Sequence, residues 1–180
     1  MKRSWRKISS KIVYKNQWLK IQEDTVIRPD GKNGIYAYVI KKPANFIIAQ
    51  DDNKFIYLIK EYRYPIKKTI LQLPAGVADT ADVLFQAKKE LREETGITAK
   101  NWKNLGGFYV SPGHDATYVN VYLATNLDLT KLKTNGQEND EAIQEVVKVS
   151  IPELKKLIKN GKIECGPSIS ALNLLFLLPL

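Results

Sequence analysis

Between Lys11 and Tyr62 the segments KIVY, WLKIQEDTVI, GIYAYVI, NFIIAQ and KFIYLIKEY alternate or cluster β-branched and aromatic residues, as strands do. The breaks between them, Pro29-Asp30-Gly31, Lys42-Pro43 and Asp51-Asp52-Asn53, carry the residues that turns require. A chain that starts this way commits to antiparallel hairpins before its first helix.

That helix is signalled at both ends. It is expected over Val83 to Thr95, with Asp79, Thr80 or Asp82 as N-cap and Gly96 as the left-handed residue that closes it. Ser150 and Glu153 form a capping box for a second helix that closes near Gly161, and a third follows Pro167. Trp102 to Tyr109, Val119 to Thr125 and Val146 to Val149 read as further strands. Strands before, between and after a few helices, without regular βαβα alternation, predict an α+β fold: a mixed sheet with helices on both sides. No repeat or long linker interrupts the 180 residues, so they read as one domain, with 1–44 as a strand-rich N-terminal arm and 45–180 as the core.

Cys165 is the one cysteine and His114 the one histidine, which excludes a Cys/His zinc cluster, a disulfide framework and a pair of histidines on a metal. A reducing cytoplasm fits best. No run of about 18 apolar residues is present to span a bilayer. The basic start, Met1 to Ser10, lacks the apolar stretch of a secretory signal, so the chain is expected to be neither exported nor membrane-spanning. The apolar end, Ala171 to Leu180, is too short to cross and reads as a helix docked on a core or a partner. The net charge of +9 is spread along the chain and favours anionic ligands, phosphate compounds first, without excluding RNA.

The chemistry gathers on the first helix. On the helix that runs into AKKELREETGI, Leu84, Ala87 and Leu91 share one face, while Glu90, Glu93 and Glu94 stand at i, i+3 and i+4. Three carboxylates so close repel one another unless a cation neutralises them, and Mg2+, with Mn2+ able to substitute, is the natural occupant. Such an ion bridges phosphate oxygens and activates water. The competing reading is a solvated face, with ordinary ion pairs to Lys88, Lys89 and Arg92.

LQLPAG at Leu71 to Gly76, followed by KELREETGI at Lys89 to Ile97, resembles the Nudix box. The chain departs from the box in three ways: Lys89 stands for its arginine, the spacer from Gly76 to the helix is one residue short, and the upstream acidic position falls on Ala81 or Asp82. EYRYP at Glu61 to Pro65 and YVSPG at Tyr109 to Gly113 extend the likeness to the ADP-ribose and nucleotide-sugar pyrophosphatase branch. The resemblance implies a Nudix-like α/β/α sandwich with an N-terminal antiparallel arm. It also implies metal-dependent cleavage of a nucleoside diphosphate sugar to a nucleoside monophosphate and a sugar phosphate. Glu90, Glu93, Glu94 and the Ala75 carbonyl would hold the metal, and Pro112 occupies the branch's proline position.

The same likeness puts a catalytic base in the loop NGQENDEAIQEVV, with Glu141 the first choice, Glu138 the second and Glu145 expected on the strand; His114 is the alternative. Arg63 suits a bidentate grip on a diphosphate, against an ordinary surface ion pair. Trp18, with Tyr36 or Tyr38, could stack a nucleobase, against core packing. A homodimer in which the arm completes the partner's base site is implied, and nucleic acid and membrane are not the expected partners. The reading from another class is a catalytically silent Nudix-like module that binds RNA or a nucleotide.

Overall fold

The computed structural model describes residues 4–78, 80–133 and 143–178, in two compact units, Met1–Pro43 with Phe108–Tyr118, and Ala44–Gly107 with Val119–Leu180.

In the first unit, β1 (Arg6–Lys15), β2 (Leu19–Ile27) and β3 (Asn33–Lys41) form an antiparallel meander, with Lys11 opposite Glu23 and Asp24 opposite Tyr36. Asn16 makes the first turn, its side-chain oxygen accepting from the Trp18 and Leu19 amides at 2.8 and 2.9 Å. The second turn needs a left-handed residue, supplied by Gly31 at φ +85°. The outer ends of β8 (Thr98–Ser111) and β9 (Asp115–Asp128), with the turn between them, belong to this unit. Val39 donates to the His114 carbonyl at 2.9 Å, and Lys41 pairs with Asp115 at 2.9 Å. Every residue of β1 is exposed.

The second unit is built on β4 (Ala44–Gln50), buried from Asn45 to Gln50. Such an apolar run, NFIIAQ, belongs to a strand covered on both faces. β4 runs parallel to β9, from Ala44 opposite Val119 to Ala49 opposite Ala124. On its other edge it pairs antiparallel with β5 (Ile56–Arg63) only at Ala49 and Gln50. It then leaves β5 and takes up β7 (Ala75–Val77). β5 carries β6 (Lys68–Gln72) and β10 (Ile143–Val149), so the sheet is mixed, as the element pattern predicts. The parting of β4 from β5 makes room for the β6–β7 link, where the Ile47 amide donates to the Pro74 carbonyl at 2.9 Å.

Helix α1 (Val83–Thr95) covers one face, packing Ala87 and Leu91 with Ile47, Ala49, Tyr57, Ile97, Tyr122 and Ala124. Phe46 and Ile48 point the other way and are also buried. Helix α3 (Gly166–Phe176) packs on β4, and its Ser168 hydroxyl accepts from the Leu73 amide at 3.0 Å. Helix α2 (Ile151–Lys159) begins as the capping pair requires, Ser150 accepting from the Glu153 amide at 3.4 Å.

Some boundaries differ from the sequence reading. Asp82 is the N-cap of α1, accepting from the Phe85 amide at 2.8 Å, and Asp79 lies outside the described residues. Helix α3 starts at Gly166 with Pro167 inside its first turn, where a missing amide hydrogen costs nothing. β8 and β9 run longer than expected because their outer parts lack the alternation that marks a half-buried strand.

The β4–β5 turn carries a measurable consequence. Asp51 accepts from the Phe55 amide at 2.9 Å, the Tyr57 hydroxyl at 3.3 Å and Lys148 at 2.7 Å. Burial pushes its carboxyl up, but the Lys148 and Phe55 hydrogen bonds outweigh that and hold it below its ordinary 3.8. A carboxyl lowered by folding stabilises above its unfolded pKa, and that stability is lost as pH falls through the folded value. Asp51→Ala should therefore cost about 1.5–3 kcal/mol at neutral pH. The cost should shrink below pH 3.8, as denaturant melts across that range would show. An equal cost at every pH would mean that the ionised form contributes nothing.

Candidate active site

Gln86, Glu90 and Glu94 stand on successive turns of α1 and share the face beside β7. Gln86 donates from Nε2 to Glu90 Oε1 at 2.7 Å. Glu94, only 3% exposed, accepts on Oε2 from the Ala75 amide at 2.9 Å. Glu90 lies against Gly76 so closely that a Cβ there would sit 2.1 Å from its Cδ. Two carboxylates from one helix thus converge on Ala75-Gly76. Glu93 turns outward, its carboxylate 3.6 Å from Lys89 and its carbonyl accepting from Lys133 at 2.8 Å.

The Ala75-Gly76 backbone is held on its far side by β4, where Phe46 faces Ala75 and Asn45 faces Gly76. Asn45 is fully buried, donates from Nδ2 to the Val83 carbonyl at 3.1 Å and accepts from Asn120 at 3.3 Å. One side chain therefore ties the segment before the spacer to the first turn of α1 after it. Neither Asn45 nor Gln86 stood out in the sequence. The available signals were a polar residue at the head of an apolar strand, and a glutamine one turn before Glu90.

Arg63 is held in a closed triangle. Its Nη1 meets Glu61 at 2.8 Å, its Nε donates to Gln72 at 3.1 Å, and Gln72 donates on to Glu61 at 2.8 Å. Gln72 is buried, so the triangle fixes the inner edge of a guanidinium that is still partly exposed. An arginine fork oriented in this way is suited to a diphosphate.

Trp18, Tyr36 and Pro112 belong to the first unit. Trp18 is 71% exposed at the β1–β2 turn. Tyr36 donates its hydroxyl to the Gly113 carbonyl at 2.6 Å and meets Trp5 edge-on, which ties it to the turn that contains Pro112. His114 lies in the same turn, both ring nitrogens 3.4 Å from the Ser111 hydroxyl. Glu145 is on β10, paired with Lys60 at 2.6 Å. Glu138 and Glu141 lie outside the described residues.

Among the described residues, no three acidic, histidine or cysteine side chains form a ready-made metal cage. The donor set is all oxygen and partial: Glu90, Glu94 and the backbone at Ala75, with a glycine whose missing side chain leaves room for a carboxylate. That suits an ion such as Mg2+, which is held by one or two carboxylates and completes its shell with waters and substrate phosphates.

Residues 41–167 match the NUDIX domain, and residues 5–39 match the nucleoside diphosphate sugar hydrolase N-terminal domain. The chain belongs to the Nudix family. The ADP-ribose pyrophosphatase of Bacillus subtilis is 30% identical over 157 residues, 87% of this chain and 84% of that protein. The GDP-mannose pyrophosphatase of Escherichia coli is 25% identical over 138 residues, 73% of this chain and 72% of that protein. A crystal structure of an ADP compounds hydrolase superposes with a TM-score of 0.80 at 19% identity, over 96% of this chain and 92% of that one. The fold is therefore that of a Nudix hydrolase, a mixed sheet between helices preceded by antiparallel strands. The chain is an enzyme of the nucleoside diphosphate sugar hydrolase class, and its reaction is pyrophosphate hydrolysis.

Proposed function

We propose that this Nudix hydrolase cleaves ADP-ribose or a related sugar nucleotide, GDP-mannose included, to a nucleoside monophosphate and a sugar phosphate. The observation that carries the reading is the convergence of Glu90 and Glu94 on Ala75-Gly76. These residues would hold Mg2+, with Mn2+ as a substitute and Glu93 completing the acidic set from the solvent side. When bound, the ion supplies neutralisation of phosphate charge and a more acidic water.

The chain's own residues position and orient. Arg63 contacts the diphosphate through Nη2, while Glu61 and Gln72 hold its Nη1 and Nε. Gln86 sets the rotamer of Glu90, and Asn45 fixes the distance from Gly76 to α1 across the short spacer. Glu141, or else Glu138, orients or deprotonates the attacking water, a role taken from the family's pattern.

Trp18 and Tyr36 stack the base, Pro112 shapes the loop beside it, and the arm reaches a second copy in a homodimer. An exposed β1 carrying Ile8, Ile12 and Tyr14, with exposed Trp5 just before it, supports the dimer. Among the described residues no helix is long and apolar enough to cross a membrane. The lone cysteine suits the cytoplasm.

With Mg2+, a panel of ADP-ribose, ADP-glucose, GDP-mannose, NADH and dinucleoside polyphosphates should show at least one sugar nucleotide turned over, with a nucleoside monophosphate released. Chelation should abolish it. Binding without turnover on every member would make the chain a silent module instead.

A further inference from the structure

We propose that the outer face of α1 carries a second, non-catalytic binding site for a mononucleotide. The face bears Phe85, Lys88, Lys89 and Arg92, and it lies on nearly the opposite side of the helix from Gln86, Glu90 and Glu94. At about 3.6 residues per turn the centres of the two faces stand roughly 150° apart. With the start of β8 it lines a half-open cavity of about 230 Å³, whose half-buried floor is Ala99 and Trp102.

Three observations identify the ligand. First, the rim is cationic and under-neutralised. Lys88 and Arg92 stand at i and i+4, where like charges repel, and neither forms an ion pair among the described residues. Lys89 alone reaches a carboxylate, Glu93, at 3.6 Å.

Second, the floor is aromatic and pre-set. Trp102 donates its indole N–H to the Ala99 carbonyl at 3.1 Å and rests edge-on against Tyr122, 6.4 Å between ring centroids. Its polar atom is thus satisfied and its ring fixed. Phe85, 59% exposed, lines the same cavity as Trp102 and adds a second aromatic face to it.

Third, the cavity is smaller than the roughly 300–1,000 Å³ of sites that engulf drug-sized ligands. It admits one flat ring with a phosphate at the rim rather than a whole sugar nucleotide. A single phosphate paired with an aromatic ring is a mononucleotide, since base-on-aromatic stacking and cation–phosphate contact are the two interactions this face offers.

The inference stands on this face of α1 and not on the reading of the catalytic face, and the test keeps the two apart by working in EDTA. AMP is titrated into the intact chain while the indole N–H resonance of Trp102, assigned with Trp102→Phe, is followed by NMR. The resonance should shift saturably. The double variant Lys88→Ala/Arg92→Ala should weaken AMP at least tenfold, and Phe85→Ala should weaken AMP but not inorganic phosphate. Phe85, Lys88 and Arg92 are exposed and Trp102 is half-buried, so the melting temperature of each variant is measured to show that it folds.

An unshifted Trp102 would overturn the proposal, as would AMP affinity unchanged in the double variant. Inorganic phosphate binding as tightly as AMP would reduce the site to an anion patch and also overturn it. An oligonucleotide binding tenfold tighter than AMP would assign the face to nucleic acid instead.

Discussion

Glu94→Gln is expected to lower kcat/KM for a sugar nucleotide at least about 100-fold, since loss of even an outer-shell partner of a metal ligand costs about 10–100-fold. Glu94 is buried, and Oε2 already accepts from the Ala75 amide at 2.9 Å. Glutamine keeps an oxygen for that amide but removes the charge that would hold the cation. The backbone at Ala75 should stay in place, and the melting temperature should move by no more than about 4 °C, the shift that about 1 kcal/mol produces in a chain of this size.

Kinetics with and without EDTA decide it, because parent and variant should become equally slow once metal is removed. A folded variant as fast as the parent would remove Glu94 from the metal site. Glu93→Gln is the informative comparison, its carboxylate lying 3.6 Å from Lys89 in this structure. A loss as large as that of Glu94 would mean that Glu93 leaves Lys89 when metal binds.

The unequal settings of the three glutamates show where sequence reasoning stops. Spacing places Glu90, Glu93 and Glu94 on neighbouring turns, and capping signals bound the helix at Asp82 and Gly96. Which carboxylate turns inward depends on what lies across from the helix. The partner is β7, a three-residue strand too short to show a period, and it sits there because β4 leaves β5 after two residue pairs. β6 and β7 were legible only as the LQLPAG motif.

Parallel pairing of β4 with β9 joins residues 75 apart in sequence, Ala44 and Val119, and no local pattern encodes it. Gly96 illustrates the same limit. Its place as the helix-closing residue follows from sequence, and φ is +74°. A Cβ there would also fall 1.8 Å from the Lys131 carbonyl, a constraint set by a segment docking from far along the chain. Asn45 and Gln86 did not stand out for a related reason, since each acts by holding something else.

Gly76→Ala gives the second large effect and the sharpest test of that idea. The backbone at Gly76 is not left-handed, so alanine is free of conformational strain, and the methyl matters only for what it meets. It would lie 2.1 Å from Glu90 Cδ, 2.4 Å from Oε2 and 2.5 Å from Cγ. Those atoms are the far end of a flexible side chain, so the fold can yield by expelling the carboxylate, and the stability loss should stay within about 1–3 kcal/mol. Expelling it also breaks the 2.7 Å contact with Gln86 and takes one of the two converging carboxylates away from Ala75. We expect kcat/KM to fall by about 10–100-fold, the range for a displaced metal ligand shell.

Combining it with Glu90→Gln separates this cause from a general disturbance of the loop. Residues that act as one unit are non-additive, so the double variant should be no slower than the worse single one. Losses that multiply would show that the methyl harms the site by a route other than Glu90. The same cycle with Glu94→Gln tests whether the two carboxylates serve one cation: if they do, that double variant too should be no slower than Glu94→Gln alone, because the methyl displaces a ligand from a site already lost.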